Sequence, residues 1–560
     1  MAKDIVSIGL LADFNVQNLA VLLQKNAQHY ELNCVQGPFS QTMRVLLDPG
    51  SEFWSSPYEA VVLWTLPERA VPSFSKVLSF EQYSMEVLLD EVDSFAKIVE
   101  QIPASVRTIL IPIWVVPCMD RGWGPLDLGH GVGIGDALMH MNLRLASRLG
   151  QHLRVVLLDS YRWMSTAGPG AYNPKLWYLS KTPFHSIVLQ EASKDVLATL
   201  DGIRGRSKKI VLLDLDNTLW GGIVGDVGWE KLRLGGHDPV GEAYVDFQKI
   251  LRRLINRGVV LAIVSKNEES VALEAIRRHP EMVLRMDDFV GWRLNWDDKA
   301  GNIVDLLSEL NLGLDSALFL DDSPFERARV REALPQVLVP EMPEDPTQYP
   351  LFVSRLRCFD NIAISPEDRS RTKMYVADRD RAALRKDILS LEKWLAMLEL
   401  NVTVERLNGK NLERATQLLN KTNQMNLSTR RLTPTELSDW AQADGHVLWT
   451  FRVSDKFGDY GLCGISSFAQ RGTTGHIVDF LLSCRVMGRG VEEAMLAAAT
   501  QHARKSGCDV LFAEYSPSAR NQPCRRWLES LPCLRQEGNR FEFPMGDPLP
   551  FPQHIRINFC

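Results

Sequence analysis

No apolar run in the sequence approaches the roughly 18 residues that a membrane-spanning helix needs. Nine cysteines are present, but no C-x-x-C pair occurs and no histidine stands at zinc-ligand spacing, so a zinc module is excluded. A G-x-x-x-x-G-K-[ST] phosphate loop is also missing. Charge of one sign is scarce: 63 Lys and Arg face 69 Asp and Glu, and the net charge of −6 carries no footprint for nucleic acid or an anionic membrane. Two short basic runs, Arg204–Lys209 and Arg430-Arg431, read as solvated surface. Internal repeats and low-complexity tracts are absent. The opening Met1-Ala2-Lys3-Asp4 lacks a signal-peptide pattern, and an odd cysteine count then points to reduced thiols and a cytoplasmic location.

What is present is an ordinary globular composition, 45% hydrophobic and 24% charged, in a chain long enough at 560 residues for three or four domains. Across residues 1–200, apolar strand-like runs such as Ile5–Leu11, Ala60–Trp64 and Thr108–Trp114 alternate with amphipathic helical patterns. That alternation predicts a parallel sheet covered on both faces. A second α/β unit is expected over 201–360, a charged helical connector over 361–398, and a mixed α+β unit over 399–546. A C-terminal tail is expected over 547–560.

The middle unit holds the chemistry. Its first strand runs into Asp214-Leu215-Asp216-Asn217-Thr218, so Asp214 stands at the carboxyl edge of a parallel sheet, where ligands bind in such folds. Two carboxylates two residues apart project to one side of an extended backbone. Hard oxygen donors of this kind suit Mg²⁺. One carboxylate can attack phosphorus and the other can move the proton. Ser265 and Lys266 follow the strand Val259–Val264. Lys299 can neutralise phosphoryl charge, and Asp321-Asp322, after Leu318-Phe319-Leu320, add carboxylate for the metal.

The order D-x-D-x-T, S, K, D-D resembles the haloacid-dehalogenase (HAD) phosphotransferase superfamily. The resemblance implies Asp214 as nucleophile, Asp216 as acid/base, Ser265 on the phosphoryl group and Lys299 as charge stabiliser. It implies a Mg²⁺ site drawn from Asp214, Asp216 and Asp322, with Asp321 in support. The longer string Asp214–Gly225, with Asn295-Trp296, Lys299–Ile303 and Phe319–Arg327, is similar to the FkbH-type branch. Two positions depart from it: Asp297-Asp298 replaces a common Glu-Pro, and Ser323 a common Asn. Members of that branch load a glyceryl unit from 1,3-bisphosphoglycerate onto an acyl carrier protein in polyketide assembly.

Near the C-terminus, an apolar strand ends at Cys484-Arg485-Val486-Met487-Gly488-Arg489-Gly490, and a helix opens at Val491. Free N–H groups there can bind pyrophosphate, and glycine lets the backbone approach. This resembles the R/Q-x-x-G-x-G/A loop of GNAT acyltransferases, which implies Arg485, Gly488, Arg489 and Gly490 on a coenzyme A or phosphopantetheine pyrophosphate. Cys484 then reads either as an acyl-carrying thiol or as a small buried hydrophobe. Cys463 is a weaker rival. The string Asn420–Arg431 reads as a polar loop or as the lining of a phosphate pocket.

The expected fold is therefore α/β and multidomain: a Rossmann-like HAD core, an N-terminal flavodoxin- or SGNH-like domain and a C-terminal GNAT-like domain. The N-terminal domain has Asp13-Phe14-Asn15 where an SGNH enzyme would place its serine, so it reads as non-catalytic. The expected activity is Mg²⁺-dependent dephosphorylation of an acyl phosphate with glyceryl transfer to a carrier's phosphopantetheine arm. The alternative is a small-molecule phosphatase fused to an independent acyl-CoA N-acyltransferase.

Overall fold

The computed structural model describes residues 4–116, 121–385, 391–456, 458–518, 520–531, 535–546 and 549–560. The chain forms two compact units, Met1–Leu200 and Asp201–Cys560. No helix among the described residues is long and apolar enough to cross a membrane.

The first unit is a five-stranded parallel sheet built from β1 (Ile5–Ala12), β2 (Glu31–Gln36), β3 (Tyr58–Trp64), β4 (Val106–Pro112) and β5 (Val155–Leu158), in the order β2-β1-β3-β4-β5. Alternate residues supply two cores: Leu11, Val61, Leu63, Ile109 and Ile111 face one side, and Ile8, Leu10, Val62 and Leu110 the other. A sheet apolar on both faces must be covered by helices on both. β2 was not expected from the sequence, because Glu31-Leu32-Asn33-Cys34-Val35-Gln36 is a half-polar edge strand without a continuous apolar run. Asp13 is buried and accepts the Leu66 N–H at 2.9 Å, and Asn15 accepts the Gln17 N–H at 2.9 Å. Both side chains shape the loop after β1. Trp114 and Trp163 are core residues, whereas Trp123 is exposed.

The second unit begins with a four-stranded parallel sheet: β6 (Ile210–Leu213), β7 (Val260–Ser265), β8 (Phe289–Leu294) and β9 (Ala317–Leu320), ordered β8-β7-β6-β9. Val211 and Leu213 point into one core, Ile210 and Leu212 into the other. Each fully buried aliphatic side chain of this kind contributes about 1.5–3 kcal/mol. Asp238 caps the crossover helix Pro239–Asn256, accepting the Val240 N–H at 3.3 Å, with proline pre-set at the first helical position.

The connector does not form one unbroken described helix. Helices cover Arg371–Arg385 and Leu391–Met397, and residues 386–390 of the expected span lie outside the described residues. The first of them packs on the β8 side of the sheet, where Arg379 donates to the Phe289 carbonyl at 2.9 Å.

The remaining strands are β10 (Leu400–Arg406), β11 (Met425–Asn426), β12 (His446–Asp455), β13 (Gly458–Arg471), β14 (Thr474–Leu482), β15 (Val510–Glu514), β16 (Arg535–Glu537), β17 (Arg540–Pro544) and β18 (Ile555–Phe559). Their order is β16-β17-β15-β14-β13-β12-β10-β18, with β11 added beside β14. The segment expected as a tail is thus part of the sheet: β18 pairs in parallel with β10, Leu400 opposite Ile555 through Val404 opposite Phe559. Its alternation Ile555-Arg556-Ile557-Asn558-Phe559 is too short to stand out in sequence. Removing residues 549–560 is expected to bare the β10 edge and lower the Tm by several degrees, since the two isoleucines alone contribute about 3 kcal/mol. A thermal melt unchanged by the truncation would restore the tail reading.

Candidate active site

Every catalytic candidate of the middle unit stands at the carboxyl edge of the β6–β9 sheet. Asp214 directly follows β6, Ser265 ends β7, and Asp321 and Asp322 follow β9. Lys299 is the first residue of helix Lys299–Glu309, which Asp298 caps by accepting the Gly301 N–H at 3.4 Å. Ser323 caps the helix Pro324–Ala333 in the same way, accepting the Glu326 N–H. The two departures from the FkbH-type strings therefore include two helix caps, and Asp and Ser are both good capping residues.

Lys299 is 3% exposed and donates to Asp214 Oδ1 at 2.7 Å and to Asp321 Oδ2 at 2.6 Å. Burial alone would lower its pKa, but the two carboxylates outweigh that and hold the ammonium charged. Asp321 is fully buried, and its carboxyl is raised to about 6, by burial first and by neighbouring Asp214 second. Its other oxygen accepts the Ser323 N–H at 2.9 Å. Thr218 donates to Asp322 Oδ1 at 3.2 Å and accepts the Asp322 N–H at 3.0 Å. Arg327, buried beneath the turn, donates to the carbonyls of Asp321 and Asp322.

Asp214, Asp321 and Asp322 each offer an oxygen within 4.8 Å of the others. No hydrogen bond among the described residues takes the second oxygens of Asp214 and Asp322, whereas both oxygens of Asp321 are engaged. An all-oxygen donor set suits Mg²⁺, and Asp321 serves it by fixing Lys299. The Asp216 carboxylate stands apart from this trio. It accepts from Trp220 Nε1 at 2.9 Å, the Val224 N–H at 3.0 Å and Asn267 Nδ2 at 3.1 Å. It is not among the three carboxylates that come within 4.8 Å of one another. Burial raises its pKa, which suits a proton donor.

Asn267 was not anticipated. It also donates to the hydroxyl of Ser265 at 3.1 Å, linking the phosphoryl-binding candidate to the acid/base candidate. Its position two residues after Ser265, at the same strand end, was the available signal. Lys266 pairs with Glu326 at 2.7 Å instead of entering the site.

The GNAT-like candidates lie elsewhere. β14 pairs in parallel with β15 only from Thr474 to Ile477. Beyond that the strands part, and the gap is filled by the chain itself. β11 pairs with Leu481 and Leu482, Leu427 N–H donates to the Phe480 carbonyl, and Ser516 N–H donates to the Leu427 carbonyl, both at 2.9 Å. Asn521 locks this insert, donating to the Asn426 carbonyl at 2.9 Å. The space expected for a pantetheine arm is thus occupied by backbone.

The glycine loop is occupied too. Gly488 N–H donates to Glu492 Oε1 at 2.7 Å, and His554 donates to the Arg489 carbonyl at 2.8 Å. His554 also lies where a Cβ on Gly490 would fall, 2.9 Å away. Arg489 bonds Tyr460, and Arg485 bonds Ser483 and Met374. The expected pyrophosphate site at Arg485, Gly488, Arg489 and Gly490 is therefore closed by this chain's own groups. Cys463 is fully buried. Cys484 is half-buried and faces Tyr375, whose hydroxyl is 3.9 Å from its sulfur.

Neither a family model nor a curated protein matches the chain. Among solved structures, it is similar to the N-terminal part of the protein BF1531 from Bacteroides fragilis, which contains a phosphatase domain complexed with Mg. The TM-score is 0.60 and the identity 28%, over 65% of this chain and 96% of that one. A putative GNAT-family acetyltransferase from Desulfovibrio desulfuricans matches 26% of this chain and 99% of its own at 16% identity, with a TM-score of 0.21. The ribosomal-protein-S18-alanine N-acetyltransferase of Escherichia coli matches 26% of this chain and 95% of its own at 12% identity, also with a TM-score of 0.21. The chain is a mixed α/β, multidomain protein with a phosphatase-like middle domain.

Two outcomes follow from these charges. Lys299→Met leaves two buried carboxylates without their cation, which costs about 3–5 kcal/mol. Its Tm should fall at pH 8, recover partly at pH 5 as carboxyls protonate, and rise on adding Mg²⁺; a melt equal to wild type at pH 8 would contradict the ion-pair assignment. Glu492 is raised to about 7, by burial first and Glu493 second, and its Oε2 has no hydrogen-bond partner. A carboxyl raised by folding stabilises the fold at low pH and loses that contribution as pH climbs from its unfolded value to 7. Glu492→Gln should therefore gain up to about 3 kcal/mol relative to wild type between pH 5 and pH 8. Chemical denaturation at the two pH values measures it, and a constant difference would contradict the buried-acid reading.

Proposed function

We propose that this chain is a Mg²⁺-dependent enzyme of the FkbH type that removes phosphate at Asp214. It loads a glyceryl unit from 1,3-bisphosphoglycerate onto an acyl carrier protein for polyketide-type assembly. The observation carrying the phosphoryl half is the buried ammonium of Lys299 held between Asp214 and Asp321, with Asp322 alongside. A scaffold protein would gain nothing from burying that much charge. The similarity to the Mg-complexed phosphatase domain of BF1531 supports the same half.

Asp214 and Asp322 would hold Mg²⁺, which supplies neutralising charge for a phosphoryl group. Asp214 attacks phosphorus through a carboxylate oxygen. Asp216, kept protonated more readily by burial, gives its proton to the leaving oxygen and later takes one from water. Ser265, oriented by Asn267, donates to a phosphoryl oxygen. Lys299 keeps Asp214 ionised and balances the charge that develops in transfer.

The acyl half rests on Cys484, a half-buried thiol in a cavity lined by cations. Cys484 lines a cavity with Lys209 and Val260, at the amino ends of β6 and β7, whereas Asp214 stands at the carboxyl end. At about 3.3 Å per residue, Lys209 and Asp214 are roughly 16 Å apart. Acyl capture and phosphate removal therefore occupy opposite edges of one sheet, and the acyl unit must be carried between them. A carrier-protein thioester does that. Trp296 and Phe325, 74% and 73% exposed beside the segments bearing Lys299 and Asp322, give a carrier an apolar surface to dock on.

Intact mass of a holo carrier protein after incubation with 1,3-bisphosphoglycerate and Mg²⁺ tests the whole reading. Addition of a glyceryl unit is expected, and an unmodified carrier would refute it. Asp214→Asn should stop phosphate release from a simple phosphomonoester with the fold retained. Cys484→Ala should keep phosphate release from a simple phosphomonoester but leave the carrier unloaded; a loaded carrier in that variant would remove the thiol role.

A further inference from the structure

The cavity at the amino edge of the β6–β9 sheet has a volume of about 270 Å³. It lies between that sheet, the helices Arg371–Arg385 and Leu412–Lys421, and the turn after β14. Its lining contains seven basic and two acidic side chains. The acids are already shared out. Asp315 pairs with Arg520 at 2.8 Å, and Asp368 takes both Arg371 and Lys421. The two cations around Asp368 hold its carboxyl well below the usual range despite its burial.

Lys209 is left over. Among the described residues its ammonium makes no hydrogen bond and no ion pair, and the charge-bearing group it feels most strongly is the Cys484 thiol. Burial depresses its pKa. The segment that brings it here was expected to be solvated surface. Instead, Arg204–Lys209 runs against the helix Leu412–Lys421, so closely that a Cβ on Gly205 would meet the Asn420 carbonyl at 2.8 Å. The string Asn420–Arg431 contributes Lys421 to Gln424 to the wall. A partly buried cavity that gathers Lys209, Lys421 and Arg371 around one carboxylate favours a further anion in it. Neither the Asp214 site, at the other edge, nor the closed glycine loop can supply the reason for it.

We propose that this cavity is a second phosphate site, separate from Asp214, which grips the phosphoryl group of a small acyl phosphate through Lys209, Lys421 and Arg371 while its carbonyl carbon faces Cys484. The assignment rests on Cys484 as the acyl-carrying thiol. Its volume, just below the roughly 300–1,000 Å³ of drug-sized sites, suits a short phosphorylated acid. In the step it serves, the Cys484 sulfur forms a bond to the carbonyl carbon. The bond from that carbon to the phosphate oxygen breaks, and phosphate leaves with the electron pair. The thiol proton ends on the departing phosphate, so no co-reactant is consumed. The cations stabilise that leaving phosphate, as donors placed where charge develops do.

The test reads Cys484 directly. Alkylation of Cys484 by iodoacetamide is followed by peptide mass spectrometry in Asp214→Asn protein, with inorganic phosphate or with chloride at equal ionic strength. Phosphate at roughly ten times its Kd should slow the labelling about tenfold, and chloride should not. Lys209→Met should abolish this protection and Lys209→Arg retain it. Labelling that ignores phosphate overturns the proposal without any variant having to fold, and full protection in folded Lys209→Met does so as well. Phosphate protection without glyceryl attachment to Cys484 from 1,3-bisphosphoglycerate would keep the anion site and discard the thiol reading. Attachment without protection would do the reverse.

Discussion

Charge balance at the carboxyl edge of one four-stranded sheet governs the middle domain. Lys299 is buried, and a buried ammonium is tolerable only because Asp214 and Asp321 meet it at hydrogen-bond distance. Everything around it serves that contact. The Asp298 cap starts the helix at Lys299, β9 ends at Asp321, and Arg327 holds the following turn by its carbonyls. Thr218 ties the loop after β6 to the loop after β9 through Asp322. Four segments distant in sequence are thereby clamped into one cluster, with oxygens of Asp214 and Asp322 left for a divalent cation.

The GNAT-like part follows a different constraint. Where β14 and β15 diverge, the backbone groups on the parting edges need partners. The chain supplies them from within, through Met425–Leu427, and Asn521 secures the insert. Glu492 and His554 do the same for the glycine loop. The edge between the two diverging strands is thus satisfied internally. The Cys484 thiol lies against Tyr375 of the helix that packs on the phosphatase-like sheet. The two folds share a cavity that neither would form alone, and its cations come from both.

Much of this was legible in the residues. The apolar runs Ile210–Leu213 and β7 mark a doubly covered parallel sheet, and Asp214, Ser265 and Asp322 each stand at the end of a strand that local pattern identifies, whereas the helix that Lys299 opens was not expected. Strands with a weaker pattern escaped notice: β2 is half-polar, β8 carries Gly291 and Arg293, and β18 is five residues long. In the site, Asn267 was missed because an amide beside a hydroxyl at a strand end has no signature until its partners are in place.

Sequence by itself determined the periodicities, the caps and the order of the phosphoryl-handling groups, because these depend on neighbours within a few residues. Tertiary structure alone decided which oxygens of Asp216 and Asp321 are spent on hydrogen bonds. It also decided that Met425–Leu427 fill the gap between β14 and β15, and that Lys209 and Cys484 line one cavity. Those outcomes depend on segments some two hundred residues apart, such as Gly205 against Asn420, meeting at van der Waals distance. No local pattern encodes such a meeting, since burial of a charge is a property of everything packed around it.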